Sequence, residues 1–160
     1  MSAARRAWRI ATFAVLAFGA SCGGGGSMRF TAVDLASGAE RSVDDVRGEA
    51  TLLAGWATWC VPCERELPAL EAALPELMAA GVRVVAVNVD APGVAESDVA
   101  AMIERLAPSL ESWRDADSTL LGAYESFLMP FSVLLDADGD VLRIWNGALD
   151  PDEIIPSLKG

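Results

Sequence analysis

"GWATWCVPCERELP", residues 55–68, sets Cys60 and Cys63 two residues apart in a chain of 160 residues with one other cysteine and no histidine. Such a pair can be part of a metal site, a structural disulfide, or a dithiol that does redox chemistry on another molecule. Two cysteines without a histidine or a second CxxC leave zinc short of ligands. Haem attachment needs CxxCH, and here Glu64 follows Cys63. A bridge closing so short a loop removes little chain entropy, because the dependence on loop length is logarithmic. The redox use fits the surroundings. The apolar run Thr51–Trp56 reads as a buried strand, and a helical pattern follows it from Val61 to about Ala80. Cys60 therefore stands at a helix N-terminus, where unpaired N–H groups and the helix dipole favour an anion. The thiolate is the attacking species, which makes Cys60 the nucleophile. Cys63 lies one turn further along the same face and can resolve a mixed disulfide. Pro62 removes an N–H and holds the turn.

Outward from this stretch, strands and helices alternate. Met28–Asp34 reads as a strand that closes a hairpin onto Glu40–Val43 through the Ser37-Gly38 turn. Asp44–Arg47 reads as one helical turn stopped by Gly48. The helix after the cysteines carries Leu67, Leu70, Leu74, Leu77 and Met78 at spacings of three and four. Pro68 and Pro75 are expected to kink or interrupt it, and Gly81 ends it. "VRVVAVNVD" (Val82–Asp90) is apolar on both faces and β-branched, as a central parallel strand is. A helix over Glu96–Leu106, a short strand over Leu110–Arg114 and a short helix over Ser118–Tyr124 follow. Phe131–Leu135 and Val141–Trp145 form a hairpin around "DADGD". Asp150-Pro151 opens a last helix. A CxxC at the start of the helix of a βαβ unit reads as a thioredoxin-like redox motif.

Composition narrows the partners. The net charge is −11, which argues against nucleic acid. A hydrophobic fraction of 52% supports a real core. Residues 1–21 read as a signal sequence: Arg5, Arg6 and Arg9 precede the apolar run Ile10–Ala20, too short to span a bilayer core of about 30 Å. "FGASC" (residues 18–22) resembles a lipoprotein cleavage site, although Gly19 stands where leucine is preferred. Cys22 is then the lipidated residue, and residues 22–27, "CGGGGS", form an anchor and flexible tether. The alternative is an ordinary secretory signal with Cys22 left free. Removing residues 1–21 takes away three arginines and no acid, moving the charge from −11 to −14. An exported domain over residues 28–160 sits in an oxidising compartment where disulfides persist.

"WATWCVPCERELP" resembles the active-site segment of the exported, membrane-tethered thioredoxin branch that includes TlpA, ResA and CcmG. The leading hairpin, the "VDDVRG" turn and "MPFSVLLDADGDVLRIWNGAL" fall in that branch's order, so the resemblance covers Phe30–Leu158. It implies an α/β thioredoxin fold, a central mixed sheet flanked by helices, with an N-terminal β-hairpin extension. It implies a thiol–disulfide oxidoreductase with no metal and no cofactor beyond the Cys60–Cys63 couple. Pro130 matches the branch's cis-proline, and Met129 before it lines the substrate groove. Glu66 matches an acid that tunes cysteine reactivity; from the residues alone it is equally a solvated first-turn acid. Trp59, Val61 and Pro62 border the approach to Cys60, with Trp59 on an exposed rim and Trp56 in the core. Partners implied are protein thiols and disulfides, apocytochrome c cysteines among them, and a membrane electron donor. One departure stands out. The branch and its thioredoxin relatives carry Asn or a buried Asp six positions before the first cysteine, where this chain has Ala54, followed by Gly55 in place of a large aromatic.

Two other classes remain open on sequence. A thiol peroxidase of the peroxiredoxin type shares the fold and would consume peroxide. A thioredoxin-fold binding or assembly module would tolerate loss of Cys60 without consequence. A copper metallochaperone is disfavoured by the cysteine spacing and the missing histidine.

Overall fold

The near-continuous burial of the central strands decides the architecture. In the computed structural model, which describes residues 29–159, the strand β3 (Ala50–Trp56) sends Leu52, Ala54 and Trp56 to one side of the sheet and Leu53 to the other. Strand β4 (Val82–Asn88) does the same with Val84 and Ala86 against Val85 and Val87. Both faces are therefore covered, as the continuous apolar runs require. The expected signal sequence, the Cys22 lipidation site and the tether lie outside the described residues.

The remaining strands are β1 (Thr31–Asp34), β2 (Glu40–Ser42), β5 (Glu111–Arg114), β6 (Phe131–Leu135) and β7 (Val141–Asn146). They form one seven-stranded sheet in the order β2-β1-β5-β4-β3-β6-β7. The pairs β3–β4 and β4–β5 are parallel; all others are antiparallel, which makes the sheet mixed and β4 its centre. One face packs on α1 (Cys63–Ala79), α2 (Glu96–Leu106) and the C-terminal α4 (Ile154–Ser157), through Leu67, Leu70, Leu77, Val99, Ile103 and Ile154. On the other, Trp113 of β5 packs with Phe30, Val43, Val46, Leu120 and Tyr124, the last two from α3 (Thr119–Ala123) and its end. The leading hairpin docks through β1 onto β5, and Ser42 and Asp45 form a capping box on the 3-10 turn Val43–Val46. Because Ser42 is the cap, β2 ends there rather than at Val43.

Helix α1 departs from expectation in three ways. It begins at Cys63, two residues later than its pattern predicts. It runs unbroken through Pro68 and Pro75. Both prolines are exposed and seven residues apart, about two turns, so both stand on the outward face of the helix, away from the core. Met78, predicted on the apolar face, is 65% exposed.

Candidate active site

The site is built where β3 hands over to α1. After Trp56 the chain turns, and the Cys60 N–H donates to the Ala57 carbonyl at 3.0 Å. Cys63 is the first residue of α1, and its N–H donates both to the Cys60 carbonyl at 3.0 Å and to Cys60 Sγ at 3.3 Å. The two cysteines are joined as a disulfide with Cα atoms 5.3 Å apart. Both are buried. A sulfur that already accepts from the opening N–H of a helix is placed where thiolate charge is stabilised once the bond is reduced.

A buried acid network anchors this turn from β4. The Asp90 carboxylate, fully buried, accepts from the Thr58 N–H at 2.8 Å, the Thr58 hydroxyl at 3.1 Å and the Asn88 side-chain amide at 2.8 Å. Thr58 lies two residues before Cys60, and the Val89 N–H donates to the Trp56 carbonyl just before it. Sequence reasoning passed over these groups. "NVD" closing the strongest strand was the available signal, because two polar residues seldom end a fully buried strand without a partner.

Glu66 stands one turn after Cys63 and is only 6% exposed, which removes the solvated-acid reading. Its Oε2 accepts from the Leu149 N–H at 2.7 Å, and its Oε1 from the Ser132 hydroxyl at 3.5 Å. Burial pushes its pKa above the ordinary glutamate value, partly offset by these two hydrogen bonds. Ala54 is buried and pairs with Ser132 across β3 and β6. The hydroxyl beside the position of the branch's usual acid or amide therefore comes from the neighbouring strand. Gly55 is explained by Phe131: a Cβ there would lie 3.1 Å from the Phe131 carbonyl oxygen and 3.6 Å from its ring.

Pro130 is buried and follows a cis peptide bond from Met129. Phe131 pairs with Gly55, so Pro130 sits one residue beyond the last rung, at the end of the sheet from which the CxxC turn departs. Met129 is half-buried and packs on the core that contains both cysteines. Trp56 is buried, whereas Trp59 is 64% and Val61 68% exposed. Pro62 is half-buried. Two further apolar side chains at this end went unread in the sequence: Phe127, 93% exposed, and Leu128, 57% exposed. Their adjacency to the proline turn in "SFLMP" was the signal.

A mixed sheet, a CxxC at the head of the first long helix and a cis-proline at the neighbouring strand define a thioredoxin-like fold, extended here by the leading hairpin. The AhpC/TSA family profile matches residues 27–156. The chain is 33% identical over 130 residues to the thiol-disulfide oxidoreductase ResA of Geobacillus kaustophilus, covering 81% of this chain and 72% of that protein. Its fold matches a structure described as a thiol:disulfide interchange protein DsbE from Chlorobium tepidum, with a TM-score of 0.70, 25% identity, and 82% and 91% of the two chains covered. StoA from Bacillus subtilis matches with a TM-score of 0.68 at 22% identity, over 81% of this chain and 96% of that one. The chain belongs to the AhpC/TSA family and, within it, with the ResA-type thiol–disulfide oxidoreductases. It is an oxidoreductase whose CxxC pair lies at disulfide distance.

Proposed function

We propose that this protein reduces disulfides in other proteins in an extracytoplasmic space, anchored by lipid at Cys22 and re-reduced by a membrane electron donor. The bonded Cys60–Cys63 pair at the head of α1, with the Cys63 N–H directed at Cys60 Sγ, carries the reading. In the reduced protein the Cys60 thiolate attacks one sulfur of a substrate disulfide. The Cys60–substrate bond forms, the substrate S–S bond breaks, and the leaving thiolate takes a proton. Cys63 then loses its proton and attacks Cys60 Sγ, releasing the second substrate thiol and closing the Cys60–Cys63 bond. The substrate gains two electrons and two protons. Glu66, one turn from Cys63 and buried, is the carboxylate on hand to take the Cys63 proton. Its raised proton affinity suits that exchange.

Pro130 and Met129 offer backbone and a half-buried wall to an extended substrate segment, while Trp59, Val61 and Pro62 offer the apolar rim. The signal-like residues 1–21, the Cys22 context and the Gly-rich tether support export and anchoring; among the described residues no helix is long and apolar enough to cross a membrane. Apocytochrome c cysteines are one substrate type consistent with this reading.

Trapping tests it. Cys63→Ser expressed in cells should accumulate mixed disulfides through Cys60 with protein partners, and Cys60→Ser should accumulate none. A Cys63→Ser variant that traps nothing contradicts the reading.

A further inference from the structure

The loop that follows β7 touches two parts of the site at once. The Gly147 N–H donates to the Pro130 carbonyl at 2.9 Å, and two residues later the Leu149 N–H donates to Glu66 Oε2 at 2.7 Å. Gly147 has a φ of +120°, a conformation that side-chain-bearing residues rarely adopt, so the turn joining these two bonds depends on glycine. The loop is pinned at both ends. Before it, Asn146 pairs with Phe131 and its Oδ1 accepts from the Ser126 hydroxyl at 2.8 Å. After it, Asp150 caps the turn that opens the C-terminal helix. Leu149 is itself buried in the core that contains Cys60 and Cys63.

We infer that the Gly147–Leu149 loop is the positioning element of the Glu66 carboxylate, tying it to the backbone of Pro130. The inference rests on the role proposed above for Glu66. Glu66 faces few other groups that titrate or carry charge. Cys63 shares its helix face, Ser132 approaches from β6, Ala54 pairs with Ser132 from β3 without a polar side chain, and the loop contributes a backbone N–H. Nothing among these groups replaces the Leu149 N–H if it moves away. A hydrogen bond that favours the charged form is then lost, and Glu66 holds its proton more tightly. The loop therefore lowers the pH at which Glu66 accepts a proton, against the rise that burial imposes, and anything that displaces the Pro130 carbonyl acts on the same bond. Gly147, Leu149 and Ser132 are positioning residues here.

The full chain, oxidised, is followed by NMR through the Glu66 side-chain carboxyl and the Leu149 amide over a pH series. In the wild-type chain both signals should titrate with one apparent pKa, and Glu66→Gln should erase the Leu149 step. Gly147→Ala should raise the Glu66 pKa by roughly one unit, about tenfold in proton affinity, the size expected for a lost hydrogen bond to a charged acceptor. In the reduced protein, Gly147→Ala should shift the pH profile of thiol–disulfide exchange with a small aromatic disulfide. The same substitution in a Glu66→Gln background should add no further shift. A Leu149 amide that does not titrate with Glu66 overturns the inference even if Gly147→Ala fails to fold. An equal effect of Gly147→Ala with and without Glu66 overturns it too, since the loop then acts through Pro130 alone. If Glu66→Gln leaves the exchange profile unchanged, the proposed proton role of Glu66 fails, while the Leu149 titration still decides the positioning.

Discussion

Replacing Glu66 by glutamine should change how stability depends on pH. Glu66 is 6% exposed, and burial lifts its pKa above the ordinary 4.5. A group whose folded pKa exceeds its unfolded pKa binds more protons in the folded state between the two values. Its stabilising contribution is then complete below the unfolded pKa and is lost as pH rises through the folded one. One such proton gives a slope of at most about 1.4 kcal/mol per pH unit across that window. Glutamine cannot ionise, yet its amide oxygen can still accept from the Leu149 N–H, so the variant lacks this slope while keeping the main contact. Asp34 and Asp45, whose pKa values are lowered, contribute slopes of the opposite sign at lower pH, and these cancel in the comparison. The assay is guanidinium unfolding of both oxidised proteins over a series of pH values, so that the cysteines do not titrate. The difference should move in favour of Glu66→Gln as pH rises from the ordinary carboxylate range and then level off. Parallel stability curves over the whole range refute the claim that Glu66 is ionised at a cost in a buried site.

Three other outcomes follow from the packing. Leu70→Ala empties a fully buried position of α1 and should lower stability by about 2–5 kcal/mol in denaturant titrations. Asp90→Ala leaves the Thr58 N–H and the Asn88 amide without their acceptor; at about 1–3 kcal/mol for each stranded group, the oxidised protein should lose roughly 2–6 kcal/mol in the same assay. Trp59→Ala, at a 64% exposed site, should change stability by no more than about 0.5 kcal/mol. It should raise KM for a protein disulfide while leaving exchange with a small disulfide unaltered.

Local pattern made much of this molecule legible. The bounds of α2 follow from its helical apolar spacing, although its N-cap is Ala95 with no side-chain cap; those of β6 follow from a short apolar run, and the β4 run reads as the sheet centre that it is. The cysteine pair is legible because its chemistry is written within four residues, and Pro130 because the segment around it resembles the cis-proline strand of the thioredoxin branch. What escaped depends on distant partners. Whether Glu66 is buried is decided by Leu149, 83 residues away, and Ser132, 66 away. Thr58 meets Asp90 across 32 residues. The docking of β1 onto β5 is set by which edge the leading hairpin can cover, and no local pattern encodes that. The unbroken α1 shows a general prior yielding to context: both of its prolines stand on its exposed face.

The equilibrium potential of the Cys60–Cys63 couple tests the central claim most directly. It is measured by poising the purified protein in dithiol–disulfide buffers and quantifying the bonded fraction. A couple that donates electrons to protein disulfides should lie at or below about −270 mV, the thioredoxin end of the scale. A value near −120 mV, the range of a strong disulfide-forming oxidant, would contradict the reducing direction.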